Sequence, residues 1–442
     1  MKKFAMLCTV SALCLTLSTA VFAAGEDGDL TLQDAVAKGV LKHPTYGVVA
    51  NNKLATKEEL SQAKALWAPS VDFLAEAGYE HNGGSAGGGD DSQFHKRASL
   101  TLTQLLFDGW GTTSEIKRQK YRTESASHRV GEVAEFIGLD IVEAYLEVLR
   151  QRDLLAISRA NLEDHFKIHE TIQTGAEAGT VTEGDVAQAS SRVAQAKASI
   201  ASTEEALRRA EALFVNKVGE MPADMEFPQI PKNMLPANLE DAVRGAITQS
   251  PTLAVFESDI KVAKAEYDGS GSTLYPRVEL QANAAYGHDI NGIDGSQSTQ
   301  TVLGVMKWNL YRGGADFDRQ REHMYRHAES KERRSEAARQ VEQEMRNTWA
   351  GMEAAHERAK QFTEQAAANE KVVNVYLDQF ALDRRTLLDV LDSQNELFVS
   401  RSNHVNALYT EMFAVFRVMA LQGMLLKTLN LPRPREARVE NN

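Results

Sequence analysis

Arg385-Thr386-Leu387-Leu388-Asp389-Val390-Leu391-Asp392-Ser393-Gln394 stands between two long helical patterns. One runs in through Val372, Val375, Tyr376 and Phe380, the other out through Leu397, Phe398, Val405 and Leu408. The stretch therefore reads as the turn of a helical hairpin. Thr386 is placed to cap the outgoing helix, accepting a hydrogen bond from an amide of its first turn. Asp389 and Asp392, three apart, fall on one face of that helix near its positive end. Taken alone, two such carboxylates describe a solvated helix start as readily as a functional site. The organisation of the rest of the chain decides what they are for.

That organisation is a duplication. Leu32-Gln33-Asp34-Ala35-Val36 returns as Leu239-Glu240-Asp241-Ala242-Val243, and Pro44, Pro69, Tyr79 and His81 return as Pro251, Pro276, Tyr286 and His288, all 207 residues on. Leu106-Phe107-Asp108-Gly109 answers Leu310-Tyr311-Arg312-Gly313 at an offset of 204, which also pairs Tyr145 with Trp349 and Asp185 with Asp389. The offset changes across a glycine run at 83–89, a loop signal. The expected division is repeat one over 24–220, a Pro-rich connector over 221–237, repeat two over 238–430 and a disordered tail over 431–442.

Each repeat reads as short helices, a strand, a loop, a strand and a long helical hairpin. Strands are expected at about 69–81, 95–107, 276–288 and 299–311. In the first, Val71, Phe73, Ala75, Ala77 and Tyr79 alternate with Asp72, Glu76 and Glu80. Val278, Leu280, Ala282, Ala284 and Tyr286 copy the pattern, and the return strands set Leu100 and Leu102, or Val302 and Met306, opposite Thr101 and Thr301. A half-buried soluble hairpin alternates too, but about ten residues suits a tilted bilayer-spanning strand. Trp67, Phe107, Trp110, Tyr275 and Tyr311 gather at one end and Tyr79 and Tyr286 toward the other, like aromatic girdles. Four strands cannot close a barrel, and an open edge does not survive in lipid, so several chains must share one. From Thr112 to about Thr180 no proline interrupts a helical pattern, a rod of roughly 100 Å. A second rod follows from Asp185 to Val218.

Residues 1–23 read as a secretory signal, with Lys2 and Lys3 ahead of the apolar run Phe4 to Leu17 and Val21-Phe22-Ala23 at the cleavage site. Both cysteines, Cys8 and Cys14, lie within it, so disulfides are not expected to staple the exported chain. Losing Lys2 and Lys3 takes the formal charge from −12 to −14, which argues against nucleic acid as a partner. His165 with His169, and His323 with His327, are i, i+4 pairs but sit in no metallohydrolase signature. The glycine run lacks the Lys-Ser/Thr of a phosphate loop. No nucleophile arrangement is evident, so neither catalysis nor a cofactor is expected.

Two stretches then carry a resemblance. Gln379-Phe380-Ala381-Leu382-Asp383-Arg384-Arg385-Thr386-Leu387-Leu388-Asp389-Val390-Leu391-Asp392 and Ala144-Tyr145-Leu146-Glu147-Val148-Leu149-Arg150, within this duplicated plan, resemble the TolC family of outer-membrane channel-tunnels, in its type I secretion branch. The resemblance implies a mainly α protein with membrane β-structure: a homotrimer pooling four strands per chain into a 12-stranded outer-membrane barrel, continued by a 12-helix periplasmic α-barrel. It implies a non-enzymatic duct for type I protein secretion, opened by a periplasmic adaptor and an inner-membrane ABC transporter. The alternatives are small-molecule efflux with an RND pump, or, in a different class, a periplasmic coiled-coil scaffold without a pore. Asp389 and Asp392 match the aspartates that narrow the pore. Arg385 matches the basic residue of the family's tip lock, and Phe380 stands where a tyrosine is usual. Asp383 replaces the glycine common at the turn. Asp185 is the acidic residue of the first tip, where Gln188 stands in place of Asp392.

Overall fold

The computed structural model describes residues 30–82, 91–290, 293–382 and 384–439. The expected signal, the glycine run at 83–89 and Asp383 lie outside them. Helices α1 (Leu32–Lys42) and α2 (Pro44–Ala65) lead into strands β1 (Ser70–Asn82) and β2 (Asp91–Phe107), then α3 (Gly111–Glu177) and α4 (Glu183–Val218). The same order returns as α5 (Leu239–Gln249), α6 (Pro251–Ser270), β3 (Arg277–Ile290), β4 (Ile293–Lys307), α7 (Ala315–Phe380) and α8 (Leu387–Leu421), and the short α9 (Leu425–Thr428) follows. Among the described residues no helix is long and apolar enough to cross a membrane.

Proline sets several of these boundaries. Pro44 and Pro251 open their helices, where a fixed φ helps and a missing N–H costs nothing. Pro69 and Pro276 stand just ahead of β1 and β3, since neither can donate to a strand ladder. This explains why β4 stops at Lys307, short of the expected 311. Lys307 pairs with Arg277, and the next rung would need the amide that Pro276 lacks. Trp308 instead donates its indole N–H to the Leu274 carbonyl at 3.2 Å, and Gly313 and Gly314 take positive φ to enter α7. β2 and β4 also begin earlier than expected, at Asp91 and Ile293.

The sheet is antiparallel in the order β1-β2-β3-β4, with open edges on β1 and β4. Its register lines up Val71, Leu102, Ala282 and Val302 in one row, with Phe73, Leu100 and Ala284 two residues along. Val71, Phe73, Leu100 and Val302 are all exposed, so this chain alone leaves the apolar face uncovered. The opposite face carries the row Asp72, Thr101, Asn283 and Thr301, where Asn283 Nδ2 donates to Thr101 Oγ1 at 2.8 Å. At the helix end of the sheet Phe107, Trp110 and Tyr275 stack edge to face at 5.3 and 5.2 Å. At the far end Tyr79 meets Phe94 at 5.1 Å, a partner the sequence reading did not anticipate.

α3 runs beside nearly everything else. α2 and α6 pack on the part nearest the sheet, and α4 and α8 on the part leading to the tip. Midway, Tyr145, Ile141, Phe214, Met345 and Phe416 form a fully buried core. Tyr145 Oη lies 2.6 Å from the Leu30 carbonyl and 2.7 Å from that of Glu226, tying the start of the described chain and the connector to α3. The tail corrects its expectation: it is ordered through Val439, with a 3-10 turn at Arg435–Ala437. Ala437 is buried in the main core, and Glu436 accepts a hydrogen bond from the Tyr46 hydroxyl at 2.7 Å. One buried methyl and a carboxylate for a buried tyrosine anchor a segment whose composition alone reads as loose.

Candidate functional site at the hairpin tips

Both helical hairpins end in the same local device. At α8, Thr386 Oγ1 accepts from the Asp389 amide at 3.3 Å, and Asp389 Oδ2 accepts from the Thr386 amide at 3.2 Å. At α4, Thr182 and Asp185 make the same reciprocal pair at 3.2 and 3.1 Å. Each box satisfies amides that a helix start leaves unpaired. The duplication has thus copied the turn chemistry along with the fold.

The carboxylates diverge from there. Hydrogen bonds from the Thr386 hydroxyl and amide, with Arg385 adding a smaller attraction, hold Asp389 below the usual carboxylate range. Arg385 folds back on its own hairpin. Its Nε donates to Gln379 Oε1 at 3.0 Å, one Nη lies 3.8 Å from Asp389 Oδ2, and its guanidinium sits 4.1 Å from the Tyr376 ring centre. The aromatic partner of this arginine is therefore Tyr376, one turn before the half-buried Phe380.

Asp392 is tied to the other hairpin: Arg192 of α4 donates from Nη2 to its Oδ1 at 2.9 Å. Close by is an apolar cluster built from both hairpins, Ile168, Ile172 and Ala189 with Leu387, Val390 and Leu391, and Phe380 packs against it. His165 is buried in α3 with no hydrogen-bond partner at Nδ1; burial, then nearby Arg192, lowers its pKa. Among the described residues, no three His, Cys, Asp or Glu side chains gather as a metal site.

Sequence reasoning singled out Asp389, Asp392, Arg385, Thr386, Phe380 and Asp185, and the structure brings all six to the two adjoining tips. It missed Arg192 and Tyr376. A signal for Arg192 was available: it stands seven residues after Asp185, two helical turns along the same face, in an otherwise alanine-rich stretch.

Four strands with open edges, prolonged by two helical hairpins far longer than the sheet, define a channel protomer that completes its barrel by association. The sequence agrees. The chain belongs to the outer membrane efflux protein family, which it matches over residues 49–219 and 242–423, one segment in each repeat. It is 22% identical over 327 residues to the outer membrane efflux protein BepC of Brucella suis, covering 74% of this chain and 72% of that one. It is also 22% identical to the outer membrane protein TolC of Vibrio cholerae, over 94% of each chain. Over about half of each chain it is 24% identical to the pyoverdine export outer membrane protein OpmQ of Pseudomonas aeruginosa. Among solved structures, a membrane protein from Pseudomonas aeruginosa superposes with a TM-score of 0.80 at 15% identity, over 92% of each chain. VceC of Vibrio cholerae does so at 0.76 and 16%, over 91% of this chain and 97% of that one. The protein is accordingly a TolC-like outer-membrane channel that extends into the periplasm. Channels of this family are homotrimers that work with periplasmic adaptor proteins and inner-membrane transporters.

Proposed function

We propose that three copies form an exit duct for type I protein secretion, engaged by a periplasmic adaptor and an inner-membrane ABC transporter. The observation that carries this reading is the second tip. There a capping box sets Asp389 and Asp392 on one face of the α8 start, inside the sequence that resembles the type I branch. In the trimer these carboxylates form the narrowest electronegative part of the pore, and Arg385, Phe380, Thr386 and Asp185 shape the tips around it. Acidic groups converging on an axis repel one another unless cations or arginines offset them, so the aperture favours cations. The chain itself does no chemistry on cargo, and energy comes from the transporter.

Changing Asp389 and Asp392 together to Asn keeps size and removes the charge. In planar bilayers, cation selectivity is expected to fall and block by multivalent cations to weaken. Parent-like selectivity and block would put the constriction elsewhere. A second reading, small-molecule efflux with an RND-type pump, is favoured by the likeness to OpmQ, whose name states pyoverdine export. A deletion strain separates the two. Loss of a large protein from the culture medium supports type I secretion; sensitivity to small toxic compounds with an unchanged secreted-protein profile supports efflux.

A further inference from the structure

Two arginines stand at the tips: Arg385, which the resemblance places in the tip lock, and Arg192 of α4. Arg385 is engaged by Gln379, Tyr376 and Asp389, all of its own hairpin. Arg192 crosses instead from α4 to Asp392 on α8, residues 200 apart in sequence. Its side chain is only 25% exposed, and the carboxylate it holds is 56% exposed. A mostly covered arginine thus presents its head at the seam between the hairpins, where it meets a largely solvated acid. The apolar cluster Ile168, Ile172, Ala189, Leu387, Val390 and Leu391 bridges the same two hairpins.

We infer that Arg192 is a positioning and selectivity-determining residue of the aperture: it latches the two hairpins of one protomer and masks the Asp392 charge while they stay together. The inference rests on the proposed place of Asp389 and Asp392 at the constriction. The two aspartates then do different work. Asp389 is held by the cap of its own helix, through the Thr386 amide and hydroxyl, and not by the other hairpin. Asp392 is neutralised by Arg192 while the tips adjoin and is released when α8 swings away from α4. Opening and unmasking are one event, so the open aperture is more cation-selective than the closed one.

The test uses the full trimer in planar bilayers, with Mg2+ as the blocking ion. Arg192→Gln removes the latch and bares Asp392. Conductance is expected to rise, and the half-blocking Mg2+ concentration to fall about threefold or more, since three further carboxylates face the ion. Asp392→Asn also removes the latch but leaves Arg192 uncompensated, so conductance rises while block weakens. A purely structural defect would not move block in opposite directions in the two variants. The exchange Arg192→Asp with Asp392→Arg restores the pair in reverse and is expected to return both quantities toward the parent. If Arg192→Gln fails to assemble, the exchange and Arg192→Lys carry the comparison. Parent-like conductance and block in Arg192→Gln, with block still weakened in Asp389→Asn, would overturn the inference and leave the aperture intact. If Asp389→Asn and the double Asn variant also left block unchanged, the aperture reading itself would fail.

Discussion

Asp389 shows how little sequence is needed to fix both a charge and a helix start. Its carboxylate accepts from the Thr386 amide and from the hydroxyl at 2.8 Å, and its own amide donates back to that hydroxyl. Because these bonds depress its folded pKa, the stability they confer is present above the ordinary carboxylate value near ~4 and lost as pH falls through the depressed one. Thr386→Ala is expected to cost about 1 kcal/mol locally, seen as faster hydrogen exchange in the first turn of α8. Unchanged exchange there would mean the box contributes nothing to the tip. This much was legible, since Thr-x-x-Asp is a local signal read within one turn. The Arg192–Asp392 pair was not, because a contact between residues 200 apart leaves no trace in periodicity. Tyr376 was passed over for a related reason: from sequence it is one of several apolar positions entering the turn, and only the folded hairpin shows that Arg385 lies on its ring.

At the level of elements, the strands were the most readable part, because their period of two needs no knowledge of partners. The register then confirms which residues share a face. Arg at Leu280 or Leu102, if near mid-membrane, is expected to destabilise the inserted protein by about 2–4 kcal/mol, whereas Arg at Thr101 should be mild. Refolding into lipid vesicles under increasing urea measures the difference, and equal tolerance at both faces would deny the sheet a lipid side. The end of β4 was misread because Trp308 and Leu310 continue the alternation past the point where Pro276 offers no amide. α3 carries a feature invisible to pattern reading. Glu135 is buried, accepts from the Leu426 amide at 3.2 Å, and is pushed up to about 7 chiefly by desolvation. With the folded value raised, its contribution is fully present below about 4.5 and lost as pH rises toward 7. Glu135→Gln is therefore expected to gain on the parent between pH 5 and pH 8, by up to about 3 kcal/mol. Thermal unfolding of both proteins at the two pH values provides the check, and a constant difference would show that Glu135 does not titrate in that window.

For the whole molecule, the duplication was visible because its two offsets hold across almost the entire chain, and the open-edged sheet follows from four strands alone. In mild detergent the protein is expected to run at the mass of three chains and to resist heat or detergent better than a monomeric fold. A single-chain mass with the strands still formed would contradict a shared barrel. The transporter and the cargo were less legible, because they are properties of surfaces met only in assembly. The order of the sheet has one further consequence, and it concerns time. β1 meets β2, and β3 meets β4, across short connections, and each long helical hairpin closes on itself. β2 and β3 pair only after α3, α4, α5 and α6 have been made between them, as when Leu100 finds Ala284. Local helical contacts form quickly, while a closure over so long a loop is slow. The apolar face of the strands is thus complete only late, and during the wait it is the part of the chain most prone to aggregate. A chain built this way keeps that face incomplete between export and insertion, until β2 and β3 come together.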